Sequence, residues 1–106
     1  MKADHELIDE IIRRILEVAH PERIILFGSA ASNEMTPDSD IDLLILERDP
    51  DGKRERRSSI RRALQGMGYP FDIILMTPER FEESKNIVGG MAYPAHKYGK
   101  VIYEAA

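Results

Sequence analysis

Apolar residues recur at Leu7, Ile8, Ile11, Ile12, Ile15, Leu16, Val18 and Ala19, with Asp9, Glu10, Arg13, Arg14 and Glu17 between them. That spacing predicts a helix over residues 3–19 with one face turned to a core. Asp4 suits its N-cap, and Pro21 disfavours helix through His20. His20, beside a helix end, reads as a surface cap rather than a ligand. The period then changes. Residues 23–27 (RIILF) are short and β-branched enough for a buried strand. Residues 40–47 (DIDLLILE) form a second strand, nearly continuous in apolar residues after its acids and so covered on both faces. Between them, residues 28–39 gather Gly, Ser, Asn, Pro and Asp, which predicts a loop with a helical turn around 30–33.

Beyond a turn at 48–52, residues 53–67 predict a helix with Ile60, Ala63, Leu64 and Met67 on one stripe, closed by Gly66 and Gly68. Its front end carries Lys53, Arg54, Arg56, Arg57, Arg61 and Arg62. The favoured reading of that block is a solvated face; the alternative is a landing surface for an anionic partner or for phosphates. Residues 71–77 (FDIILMT) predict a third strand with Asp72 one residue inside it. Thr77 as N-cap and Pro78 at the first helical position start a short helix to Ser84. Val88-Gly89-Gly90 is a break, and residues 92–98 predict another helix with Pro94 in its first turn. Gly99 suits a left-handed C-cap, and residues 101–103 an edge strand. The order αββαβααβ predicts an α/β (α+β) fold, a mixed sheet of about four strands with flanking helices.

Composition narrows the class without naming a chemistry. The 106 residues suit a single domain over 1–106. The chain has no cysteine, which excludes disulfides, thiolate metal sites and a cysteine nucleophile, and fits a reducing cytoplasm. No apolar run approaches the ~20 residues of a membrane span, so no membrane association is expected. A formal net charge of −4 argues against general nucleic-acid binding.

The candidate chemistry lies in the acids. In a strand, Asp40 and Asp42 point to one face and Ile41 and Leu43 to the other. If the third strand pairs beside the second, Asp72 joins them at one end of the sheet. Three close carboxylates repel, and burial raises their pKa values further. A hard divalent cation relieves both effects, and oxygen-only ligands favour Mg²⁺ or Mn²⁺ over zinc. Two such ions about 3.5–4 Å apart promote in-line attack at phosphorus. Gly28-Ser29 complements the acids: glycine permits close backbone approach, and the following amides with the Ser29 hydroxyl can cradle a phosphate.

Phe27-Gly28-Ser29, then Asp40-Ile41-Asp42-Leu43, then a later acid in a strand, resembles the nucleotidyltransferase pattern of the DNA polymerase β superfamily. Small size makes the chain similar to its minimal nucleotidyltransferases, and residues 90–103 resemble that group's C-terminus. The resemblance implies a polymerase β-like fold and two Mg²⁺ ions held by Asp40, Asp42 and Asp72, with Asp72 also helping to deprotonate the acceptor. It places Gly28 and Ser29 on the β/γ-phosphates of a nucleoside triphosphate, with Ser39 grouped among the nucleotide contacts. Minimal members pair with a small helical HEPN protein in toxin–antitoxin systems, which implies transfer of AMP from ATP to a tyrosine of a HEPN partner. The assembly is left open between a homodimer and a hetero-oligomer.

One departure from the pattern raises a competing function. Many minimal relatives carry an arginine soon after Gly-Ser and another just before a glycine; here Ala30-Ala31-Ser32-Asn33 follows, and no Lys or Arg lies between Gly28 and Asp40. Either an arginine from the 53–62 block reaches the triphosphate, or its binding is weak. The alternative to the enzyme is therefore a binding module of the same fold that neutralises its partner by stoichiometric complex formation.

Overall fold

β1 (Arg23–Phe27) runs through the interior of a four-stranded sheet of order β3-β2-β1-β4. It pairs antiparallel with β2 (Ile41–Leu46) and with β4 (Lys100–Glu104), whereas β2 and β3 (Phe71–Met76) are parallel. The computed structural model describes residues 5–31, 40–48 and 52–105, with backbone alone at 29–30. The sheet is mixed and flanked by helices, as the order of elements predicts. The Asp4 cap, Asn33 and Ser39 lie outside the described residues.

Strand alternation divides the core into two layers. Ile24, Leu26, Leu43, Ile45, Ile73 and Leu75 face α1 (His5–Leu16) and α2 (Lys53–Ala63), where they meet Ile11, Ile15, Ile60 and Leu64. Ile25, Phe27, Leu44, Leu46 and Met76 face α3 (Pro78–Ser84) and α4 (Ala92–Tyr98), where they meet Phe81, Ala92 and Ala95. β2 is thus covered on both faces, which is why its sequence is a continuous apolar run instead of an alternation.

Caps and turns fix the connections. Thr77 Oγ1 accepts from the Arg80 N–H at 3.1 Å and Pro78 opens α3. α2 ends at Ala63 rather than reaching Met67, and Gly66 and Gly68 both take positive φ (85° and 88°) in the turns that follow. Arg14, expected on the wet side of α1, crosses to that end: its guanidinium donates to the carbonyls of Ala63 (3.2 Å) and Gln65 (2.7 Å), supplying donors that the last turn of a helix lacks. Gly99 is no left-handed cap, since its φ is −82° and ψ 169°. Glycine is required there for closeness: a Cβ would stand 2.2 Å from the Ala95 carbonyl oxygen and 2.7 Å from Ile25 Cγ2.

Arg56 also departs from the solvated-face reading of its block. It turns inward, with Nε 2.9 Å from Oε1 of Glu47, a carboxylate only 3% exposed. That N–H does not point at the oxygen, so the contact is an ion pair without an aligned hydrogen bond. Glu47 Oε2 accepts from the His20 N–H at 2.7 Å, and Arg56 donates to the Val18 carbonyl. One buried pair therefore ties the end of β2 to α2 and to the chain leaving α1.

A candidate nucleotide site at one end of the sheet

The parallel ladder begins where the Ile41 N–H donates to the Pro70 carbonyl at 2.9 Å, and this sets Asp42 directly opposite Asp72. On its other side Asp42 pairs with Phe27, the last residue of β1. Phe27, Leu44 and Met76 all belong to the layer under α3 and α4, so alternation puts both carboxylates at the end of that face. The site is thus built where β2 and β3 start and β1 stops. Asp40 sits one residue before β2 and is exposed, as is Asp72, while Asp42 is half-buried.

The electrostatics join these three acids. Burial pushes the Asp42 carboxyl above its ordinary value, and the charges of Asp72 and then Asp40 push it further. The arrangement sets Asp42 opposite Asp72 and within the fields of both Asp72 and Asp40. It stops short of a finished ligand set: among the described residues, no three acidic or histidine side chains are grouped so as to hold a metal ion.

Gly28 opens a 3₁₀ turn, Gly28–Ala31, at the end of β1. The turn starts two residues earlier than expected, because Gly28 itself bends the chain with φ 70°. Its missing side chain matters to the acids as well: a Cβ on Gly28 would stand 2.1 Å from Oδ2 of Asp42. The Asp42 carboxylate occupies space that only glycine leaves open. Ser39 and the Ser29 side chain lie outside the described atoms.

The positive charge absent from the loop lies elsewhere. A groove of about 630 Å³ runs along β3 and is lined by Asp72 together with Lys53, Arg57 and Arg61 of α2 and Arg80 of α3. β3 is separated from β1 by β2, so these cations stand on the Asp72 flank and not the Gly28 flank. Arg80 was invisible as a groove residue from sequence, where it is one more charge in a short helix. The available signal was its place three residues past the Thr77 cap, on the helix that leaves β3. Tyr93 and Tyr98 each have Lys97 Nζ 5.7 Å from the ring centroid, and His96 meets Phe81 edge-on. A second cavity, of about 370 Å³ between Glu22, Arg23, Glu82 and Glu104, lies at the opposite end of the sheet. No described helix is long and apolar enough to cross a membrane.

Comparison with known proteins bears on the same elements. No curated protein sequence matches the chain significantly. A crystal structure of a toxin–antitoxin with AMP-PNP contains a chain of similar fold, with a TM-score of 0.62 at 19% identity, covering 92% of this chain and 73% of that one. The family model of the nucleotidyltransferase domain matches residues 7–93, from α1 into α4 and across the acid-bearing ends of β2 and β3. On that match this chain belongs to the nucleotidyltransferase domain family.

Proposed function

We propose that this protein is a Mg²⁺-dependent nucleotidyltransferase of the polymerase β-like, minimal type, acting in the cytoplasm. It moves AMP from ATP to a hydroxyl of a partner protein. The observation that carries the reading is the parallel register of Asp42 against Asp72, with the Asp42 carboxylate seated over Gly28. Asp42 is raised by burial and by its two acidic neighbours, a field that a divalent cation relieves. The all-oxygen donor set suits Mg²⁺ or Mn²⁺. Bound between Asp40, Asp42 and Asp72, the ions would supply charge neutralisation at the α-phosphate and the departing pyrophosphate.

The chain's own residues have distinct parts. Gly28 admits the phosphates close to the backbone of the 3₁₀ turn, with Ser29 and Ser39 as further nucleotide contacts. Asp72, on the strand farther from Gly28, faces the acceptor and takes its proton. The acceptor oxygen bonds to the α-phosphorus, the bond to the bridging oxygen breaks, and pyrophosphate leaves. The acceptor we favour is a tyrosine hydroxyl of a HEPN-type toxin. The fold shared with a toxin–antitoxin chain crystallised with AMP-PNP supports both the nucleotide and the partner.

A second reading, stoichiometric neutralisation without catalysis, is favoured by the absence of any cation between Gly28 and Asp40. Incubating the protein with Mg²⁺, ATP labelled at the α-phosphate and its co-purified partner separates the two. Label on the partner, lost in Asp42→Asn, supports transfer; full neutralisation by Asp42→Asn with no label in either protein establishes the binding module instead.

A further inference from the structure

The sheet has an unpaired edge beside Asp72, running under the side chains that line the groove, with Ile73 and Leu75 4% and 2% exposed. The Ile41 N–H donates to the Pro70 carbonyl and the Glu47 N–H, at 3.1 Å, to the Met76 carbonyl. The even-numbered residues of β3 therefore bond to β2. In a ladder alternate residues bond to opposite sides, so the N–H and C=O groups of Phe71, Ile73 and Leu75 face away from it. β3 ends the sheet, and these groups have no partner among the described residues. The 630 Å³ groove follows this edge, with Lys53, Arg57, Arg61 and Arg80 along it. None of the four makes a side-chain ion pair or hydrogen bond with a described residue. Lys53, Arg57 and Arg61 are spaced i, i+4, i+8, which sets them ~6 Å apart along a helix. Same-face residues of an extended strand repeat at ~6.7 Å.

We propose that this edge receives an extended acidic segment of a partner protein as a fifth strand, its carboxylates matched to the row of cations on α2. Unpaired main-chain groups supply the strand pairing and the cations supply the selectivity. Single-stranded nucleic acid fits less well, because the groove lining contains no aromatic side chain on which a base could stack. A second copy of this chain fits less well too, since pairing β3 with β3 would set cations against cations. Asp72 belongs to the groove lining, so a hydroxyl carried by the docked segment would lie beside it. That last step rests on the transferase reading above; the docking itself does not.

The test is fluorescence anisotropy on the full chain without nucleotide, using a labelled octapeptide that alternates glutamate with valine. Saturable binding is expected, weakened at least tenfold by Arg57→Glu with Arg61→Glu in protein whose circular dichroism is unchanged. It is also expected to weaken at least tenfold when the peptide is N-methylated at alternate residues in the register whose N–H groups face β3, and to persist when the other register is methylated, the charge being the same in both. Equal binding of the N-methylated peptides, or no binding at all, overturns the proposal. So does a ten-nucleotide oligouridylate that binds more tightly and displaces the peptide, or self-association of the chain that excludes it. Peptide binding with this behaviour but no nucleotide transfer to the partner defeats the transferase reading alone. Transfer without peptide binding defeats the docking alone.

Discussion

Oδ2 of Asp42 lies where a side chain on Gly28 would begin, 2.1 Å from an ideal Cβ. Gly28→Ala therefore acts twice. Alanine at φ 70° is strained by about 1–2 kcal/mol, and its methyl displaces the Asp42 carboxylate from the position it holds opposite Asp72. Gly66→Ala is the control: φ is 85° there, but nothing lies within 4 Å of the added methyl. Both variants are expected to lose similar stability in urea denaturation. Only Gly28→Ala should also lose transfer, by about 100-fold, the scale of a misplaced reacting geometry. Equal activity in the two would remove the positioning role of Gly28.

The raised Asp42 carboxyl makes a linked prediction about pH and metal. Its folded form binds a proton more tightly than its unfolded form, whose ordinary value is 3.8. The stability associated with this group is therefore fully present below that value and is lost as pH rises through the raised one. Asp42→Asn should flatten stability across that window. At neutral pH it should be the more stable protein by about 0.5 kcal/mol, the scale of a like-charge pair across strands. Mg²⁺ at ten times its dissociation constant should stabilise the wild type by about 1.4 kcal/mol and leave Asp42→Asn unmoved. Thermal melts with and without Mg²⁺ between pH 4 and pH 8 measure all three effects.

The acid pattern and the strand runs were legible because both are local. An apolar run that stops at Gly28-Ser29, a pair of acids at the head of the next run and Asp72 one residue into a third were readable in order, and β2–β3 pairing then aligned them. Pro78 behind Thr77 likewise marked the start of α3. What could not be read depended on distant partners. Nothing local distinguishes Arg56, which enters the core to meet Glu47, from Arg57, which faces the groove one residue on. Gly99 looked like a helix cap because caps are the commonest use of glycine after a helix. Its actual constraint, Ile25 Cγ2, is on a strand more than seventy residues earlier. The missing loop cations had a counterpart in the chain, but only the strand order shows that it stands on the far side of Asp72.

The Glu47–Arg56 pair should dominate the energetics of the fold away from the site. Glu47 is 3% exposed, and removing one partner of a buried pair leaves an uncompensated charge that costs about 3–5 kcal/mol. Arg56→Ala is expected near the lower end, since Arg56 is itself partly exposed and the His20 N–H still serves the carboxylate. Replacing both partners, as Glu47→Leu with Arg56→Met, should recover most of the loss. Urea denaturation of the two single variants and the double tests the pair. A double variant as unstable as the sum of the singles would show that the two charges act independently.

Asp72 stands on β3, two strands from the Gly28 end of β1, with Asp42 on the strand between them. If Gly28 and the 3₁₀ turn hold the triphosphate, Asp72 is the acid farthest from it and nearest the acceptor groove. The two aspartates should then fail differently. Asp42→Asn removes an acid that serves the nucleotide, so both nucleotide binding and transfer should fall. Asp72→Asn should leave the affinity for Mg²⁺–AMP-PNP within about threefold, because little binding energy is made at that end. Its transfer rate should nevertheless fall by about 10³-fold, within the contribution expected of a positioned base. Calorimetric titration with Mg²⁺–AMP-PNP beside single-turnover transfer distinguishes the cases. Loss of nucleotide affinity in Asp72→Asn equal to that in Asp42→Asn would place Asp72 on the nucleotide rather than on the acceptor.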